Sequence, residues 1–105
     1  MKRYGQTIRV RPEKLDLYRR LHANPWPEVL AAIHECNVRN FSIYVRDGYL
    51  FSYYEYIGDD YPADMRKLGQ RTAHWLLETD PCQEKIPSAR PEEWWSMMEE
   101  VFHCD

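Results

Sequence analysis

Tyr18 and His22 are the first residues of the chain whose types and spacing could carry chemistry. They lie four apart in a stretch that reads as a helix, so both project from one face about a turn apart. An imidazole titrates near neutral pH and is the usual proton carrier, while a phenol can hydrogen-bond a substrate hydroxyl. The same spacing fits a structural role, in which His22 sits near a helix C-terminus and complements its dipole. His34 and Cys36, two apart, would diverge on a helix and cannot make a metal site by themselves, and His74 and His103 read as surface or rim residues. Trp26, Trp75, Trp94 and Trp95 are large enough to wall a pocket. Rings with a few hydroxyl and imidazole groups between them suit a small ligand with apolar C–H faces and a set of hydroxyls, which is the character of a sugar. Packing and subunit contact remain the alternative use of each ring. Glu99 and Glu100 are adjacent, so in a strand they point to opposite faces and cannot enter one site together.

With 4 glycines in 105 residues, neither G-x-G-x-x-G nor a P-loop can be written, which argues against nucleotide-dependent chemistry. The balance of 14 Lys+Arg against 17 Asp+Glu, a formal charge of -3, provides no basic excess for phosphates or anionic lipid, so neither nucleic acid nor membrane is expected as a partner. No apolar run approaches the roughly 20 residues that span a bilayer. The start, MKRYGQTIRVRPEK, lacks an apolar stretch of the secretory kind. Cys36, Cys82 and Cys104 are odd in number and form no C-x-x-C pair, so reduced thiols in a cytoplasmic protein are expected. The 8 Tyr, 4 Trp and 3 Phe make the chain 14% aromatic, rich for a core this small.

The elements that must position these residues follow from pattern. Residues 3–10 alternate as a strand, and Pro12 opens a helix running to about His22, which Asn24-Pro25-Trp26-Pro27-Glu28 ends. A second helix spans about Pro27 to Glu35. Asn40 to Arg46 reads as a strand, Asp47-Gly48 as a two-residue hairpin turn, and Tyr49 to Ile57 as the return strand. That return strand carries large groups on both faces, with Leu50, Tyr54 and Tyr56 on one and Phe51, Tyr53 and Ile57 on the other, so something must cover the second face. Pro62 begins a helical stretch to Leu68 that Gly69 interrupts, and a further helical turn covers Thr72 to Glu78. Residues 80–91 read as loop, with a final strand near Met97 to His103. The order predicts one domain, residues 1–105, with an α+β ferredoxin-like sandwich: an antiparallel four-stranded sheet with helices on one face. The open face of that sheet predicts a homodimer closed sheet against sheet.

Several blocks are recognisable in order: MKRYGQ, Tyr18 to His22, Asn24 to Glu28, Glu35 to Tyr44, Tyr53 to Asp60, Thr79 to Gln83 and Glu92 to Phe102. Over essentially its whole length the chain resembles the L-rhamnose mutarotase family, small dimeric enzymes of the dimeric α/β-barrel, ferredoxin-like type that interconvert the α and β anomers of L-rhamnose. The resemblance implies a cofactor-free, metal-free isomerase acting on a monosaccharide, L-rhamnose or a related 6-deoxy sugar. It implies His22 as proton donor and Tyr18 as a sugar-binding group on the same helix face. Phe41 falls where the family often has a substrate-contacting tyrosine, so only ring contact remains there. The family's Trp-Trp pair corresponds to Trp75-Leu76, or to His74-Trp75 if the alignment moves by one. The general base is left open among Tyr18, a water and a carboxylate. Two alternatives stand beside this reading: a mutarotase for another sugar such as L-fucose, and a non-catalytic dimeric α/β-barrel protein holding an aromatic ligand or haem.

Overall fold

The Asp47-Gly48 turn sets the register of the sheet. In the computed structural model, which describes residues 1–105, both turn residues have positive φ, 53° and 79°, the conformation that a two-residue hairpin loop requires. The turn joins β2 (Val38–Arg46) to β3 (Tyr49–Tyr56). β1 (Lys2–Val10) pairs antiparallel with β3 along nearly its whole length, from Lys2 opposite Tyr56 to Arg9 opposite Tyr49. Two short strands use the other edge of β1: β4 (Gln83–Glu84) against Val10 and Arg9, and β5 (Ser96–Met98) against Thr7, Gln6 and Gly5. The order β2-β3-β1-β4 is that of a ferredoxin-like sheet.

The sheet therefore has five strands rather than four. β4 lies inside the expected loop because two residues are too few to show alternation. It is held by the Arg11 amide donating to the Cys82 carbonyl at 2.8 Å and by the Arg11–Glu84 ion pair at 3.3 Å. β5 begins at Ser96 and ends at Met98, earlier than the expected 97–103, and beyond it Glu100 turns to pair with Arg3.

Four helices cover one face: α1 (Leu15–Ala23), α2 (Pro27–Glu35), α3 (Tyr61–Arg71) and α4 (Ala73–Thr79). Pro12 opens a short 3₁₀ turn ahead of α1, and α1 ends at Asn24 before Pro25. α3 runs straight through Gly69, contrary to the expected interruption. A helical glycine costs about 1 kcal/mol against alanine and does not by itself break a helix. The boundary falls at Thr72, whose hydroxyl donates to the Leu68 carbonyl at 2.7 Å before α4 starts.

Alternate residues of the sheet decide what is inside. Ile8 and Val10 of β1 and Leu50 of β3 point at the helices and are buried with Tyr18 and Cys82, with Leu15, Leu17, Ile43 and Trp95 packed around them. Cys82 is thus core, and all three thiols are free. β2 reaches this face through a bulge. Arg39 opposes Glu55 but Ser42 opposes Tyr53, so β2 carries one extra residue between them. Asn40, at φ 51°, sits at the bulge and donates through its amide to Glu55 at 2.7 Å. The bulge reverses the alternation and sends Phe41, Ile43 and Val45 to the helix side. On the opposite face, Phe51 and Met98 each stay 39% exposed and Tyr44 67%, so this part of the face is left open.

One polar cluster ties the far ends of these elements together. The Asp64 carboxylate of α3 accepts from the Tyr56 hydroxyl of β3 at 2.5 Å and from the Asn37 amide, in the turn before β2, at 3.0 Å. The Asp60 amide donates to the Tyr56 hydroxyl, and the Asp60 side chain caps α3 by accepting from the Ala63 amide. Both donors hold the Asp64 carboxyl below its ordinary value, and burial, followed by the bond to Asp64, pushes the Tyr56 phenol up to about 12. Gly58 is required beside this cluster, because a Cβ there would collide with the Tyr56 hydroxyl and lie 2.8 Å from the Asn37 amide nitrogen.

Two stability predictions follow from these contacts. Ile8→Ala, at a fully buried site, should cost about 3 kcal/mol in urea-monitored unfolding. Gly58→Ala should lower the melting temperature, whereas Gly69→Ala, where a Cβ meets open space in a helix, should raise stability by up to about 1 kcal/mol. Equal effects of the two glycine replacements would contradict the packing described.

Candidate active site

Between the sheet and the helices lies a cleft of about 990 Å³. It exists because each helix presents one stripe to it. α1 supplies Leu15, Tyr18, Arg19 and His22, and α4 with the residue before it supplies Thr72, Trp75, Leu76 and Thr79, both at spacings of three and four. α3 adds Tyr61, Met65 and Leu68, while the strands add Gln6, Phe41, Ser52 and Tyr54 at a period of two. Gln83 and Trp95, at the two ends of the 83–95 segment, also reach the lining.

The five residues nominated from the sequence, Tyr18, His22, Phe41, Trp75 and Leu76, all line this one cleft. His74 is exposed and outside the lining, whereas Leu76 lines it. Trp26 packs edge-on against Trp75 at 5.3 Å and buttresses it from behind. Trp94 instead donates to Asp80 at 3.3 Å and is 38% exposed. Of the 83–95 segment only the two ends, Gln83 and Trp95, touch the cleft.

His22 is held on three sides. Its ring stacks on Tyr18 with centroids 4.2 Å apart and meets Trp75 edge-on at 5.3 Å. Nδ1 lies 2.8 Å from the Tyr18 carbonyl oxygen. A carbonyl only accepts, so Nδ1 carries the proton and donates, leaving Nε2 as the ring nitrogen free to exchange a proton. Burial lowers the His22 pKa, and the bond to the Tyr18 carbonyl only partly opposes this. The Tyr18 phenol, 5% exposed, is pushed well above its ordinary value by burial and then by the nearby Cys82 and Asp80. Tyr18 therefore stays protonated at neutral pH and keeps an O–H able to donate.

No Asp or Glu lines the cleft, and Arg19 is its one charged residue. Of the three bases left open by the sequence, the phenol of Tyr18 is too weakly acidic to ionise and no carboxylate is at hand. Nor do three or more His, Cys, Asp or Glu side chains converge anywhere as a metal site would need.

Sequence reasoning did not single out Tyr54, Tyr61, Ser52, Gln6 and Gln83 as lining residues. Tyr54 and Tyr61 place their hydroxyls in hydrogen-bond contact, and Tyr4 stacks on both rings. The alternation of β3 carried the signal for Tyr54, on the same face as Leu50. Tyr61 opens a helix, where no periodic pattern yet speaks for its direction.

The L-rhamnose mutarotase family model matches residues 3–104. The L-rhamnose mutarotase of Ligilactobacillus salivarius is 28% identical over 113 residues, covering 98% of this chain and 97% of that protein. A UPF0734 protein of Dictyostelium discoideum is 30% identical over 113 residues, covering 99% and 90%. The crystal structure of an L-rhamnose mutarotase from Formosa agariphila superposes with a TM-score of 0.75 at 20% identity, over the whole of both chains, and shares the ferredoxin-like fold. The chain belongs to the L-rhamnose mutarotase family.

Proposed function

We propose that the chain is a cofactor-independent mutarotase interconverting the α and β anomers of L-rhamnose, with His22 as its proton carrier. The observation that carries this reading is the single free imidazole nitrogen, Nε2 of His22, in a cleft with no other group able to take up a proton near neutral pH. The family membership supports the sugar.

In the resting enzyme His22 is neutral. Nε2 accepts the proton of the anomeric hydroxyl, whose oxygen becomes the aldehyde oxygen as the bond from C1 to the ring oxygen breaks. The imidazolium so formed donates that proton to the departing ring oxygen. Both oxygens are attached to C1, so one nitrogen can serve both in turn. Rotation about the C1–C2 bond and the same steps in reverse give the other anomer, with atoms and charge balanced and the imidazole neutral again. His22 thus acts as the proton donor after first acting as base. Tyr18, kept protonated by burial, hydrogen-bonds a sugar oxygen. Trp75 packs against the ring, and Leu76 and Phe41 meet its apolar edges, including the C5 methyl that distinguishes a 6-deoxy sugar.

We also propose a homodimer formed through the uncovered sheet face around Phe51, Tyr44 and Met98. A second reading draws on the cleft volume, which is near the upper end for small-ligand sites of roughly 300–1,000 Å³. Such a cleft could instead hold a larger aromatic molecule without turnover. That reading predicts saturable binding with no acceleration of anomer exchange.

Exchange at the anomeric protons of L-rhamnose, followed by NMR with L-fucose alongside, tests the function. His22→Asn should lower the enzymic rate by about 10²–10⁴-fold, and undiminished exchange would refute the role of His22. Because the His22 pKa is lowered, kcat/KM above the spontaneous rate should rise with pH as His22 loses its proton, with its midpoint below the ordinary value of about 6.5, and then level off. A profile that falls across that range would mean that the resting enzyme needs the imidazolium. For the assembly, sedimentation should give about twice the 12.7 kDa chain mass, reverting to one chain for Phe51→Glu; a wild-type monomer would rule the dimer out.

A further inference from the structure

Tyr54 and Tyr61 come from different elements, β3 and the first residue of α3, and their only side-chain hydrogen-bond partner is each other. Two hydroxyls bonded together use one proton between them, so the pair keeps one O–H free to donate and lone pairs free to accept. Burial raises both phenols above their ordinary values, so neither ionises at neutral pH and the free proton is always present. An unmet donor in a half-buried apolar setting is costly, and a ligand group that meets it recovers that cost.

The pair is also held rigidly. Tyr4 stacks on Tyr61 at 4.5 Å with 18° between the rings and on Tyr54 at 5.4 Å. Tyr56 meets Tyr61 edge-on at 5.2 Å, and the Asp60 cap with the Asp64 cluster fixes the start of α3. Phe41 packs on the Tyr54 ring at 5.5 Å but has no hydroxyl, so on that part of the lining the polar group is the tyrosine pair.

We infer that the Tyr54–Tyr61 hydroxyl pair is a second polar anchor of the cleft, reading two neighbouring hydroxyls of the sugar away from its anomeric carbon. One sugar hydroxyl accepts from the free phenolic proton and its neighbour donates to the other phenolic oxygen. This matches donor to acceptor as a vicinal diol would. The assignment rests on the mutarotase reading above and deepens it. It makes the pair a specificity-determining element that touches no reacting atom. A purely structural pair, tying α3 to the sheet, would affect stability without affecting which sugar is preferred.

The test uses the full chain with L-rhamnose and its 2-, 3- and 4-deoxy analogues, in wild type, Tyr61→Phe, Tyr54→Phe and the double variant. Wild type should turn over at least one monodeoxy analogue with kcat/KM reduced about tenfold or more. Each single variant should raise KM for L-rhamnose about tenfold with kcat and the pH profile of His22 little changed. The double variant should cost about as much as either single one, because removing one hydroxyl already breaks the pair. On the analogue that lacks the hydroxyl read by the pair, wild type and variants should be alike. A wild type that handles every analogue within twofold of L-rhamnose overturns the inference without recourse to any variant. Folded variants that keep the wild-type KM and sugar pattern overturn it too, and both results leave the mutarotase reading intact. If wild type accelerates exchange of no sugar, the mutarotase reading fails and this inference falls with it.

Discussion

The carboxylate of Asp64 is the joint on which the architecture turns. A sheet with helices on one face normally closes by packing helix side chains directly onto strand side chains. Here a large open volume persists between the layers, so the helices need another hold. Asp64 supplies it by accepting from Tyr56 on β3 and Asn37 before β2, so that α3, the end of β3 and the turn between α2 and β2 meet at one oxygen-rich point. At the other end the core of Ile8, Val10, Leu50, Tyr18 and Cys82 closes the sheet against α1. The cleft is the span between these two fixed ends.

Within that span, solvation governs the chemistry. A lining with one charged residue cannot support ionised groups well, and every titratable side chain with a resolved shift there moves toward its neutral form. The outcome differs by residue type. Phenols become firmer donors, while the imidazole becomes a readier acceptor. The carbonyl of Tyr18 then decides which nitrogen accepts, a backbone contribution to tautomer choice that arises from the four-residue spacing on α1.

Much of this was legible in the sequence because it depends on local rules. Helix α2 matched its expected bounds since prolines mark its start, and the hairpin turn was legible since Asp-Gly is a compact signal. The spacing of Tyr18 and His22 alone placed them on one face. What stayed hidden depends on long-range pairing. β4 is a strand only because β1 has a free edge beside it. α3 ignores Gly69 because the surrounding helix tolerates it. The contact between Tyr54 and Tyr61 joins two elements whose crossing no periodicity encodes. The tautomer of His22 was equally invisible, since it depends on a distance.

The bulge at Asn40 gives β2 a parity. Ahead of it Val38 faces inward with even numbering, and beyond it Phe41, Ile43 and Val45 do so with odd. Leaving out the one extra residue would let β2 pair regularly with β3, with Phe41 alone opposite Tyr54, and would keep Val38, Phe41, Ile43 and Val45 inward. The register beyond the bulge is anchored by the hairpin turn, so the left-handed asparagine is a single residue of slack that the strand absorbs without exchanging its faces.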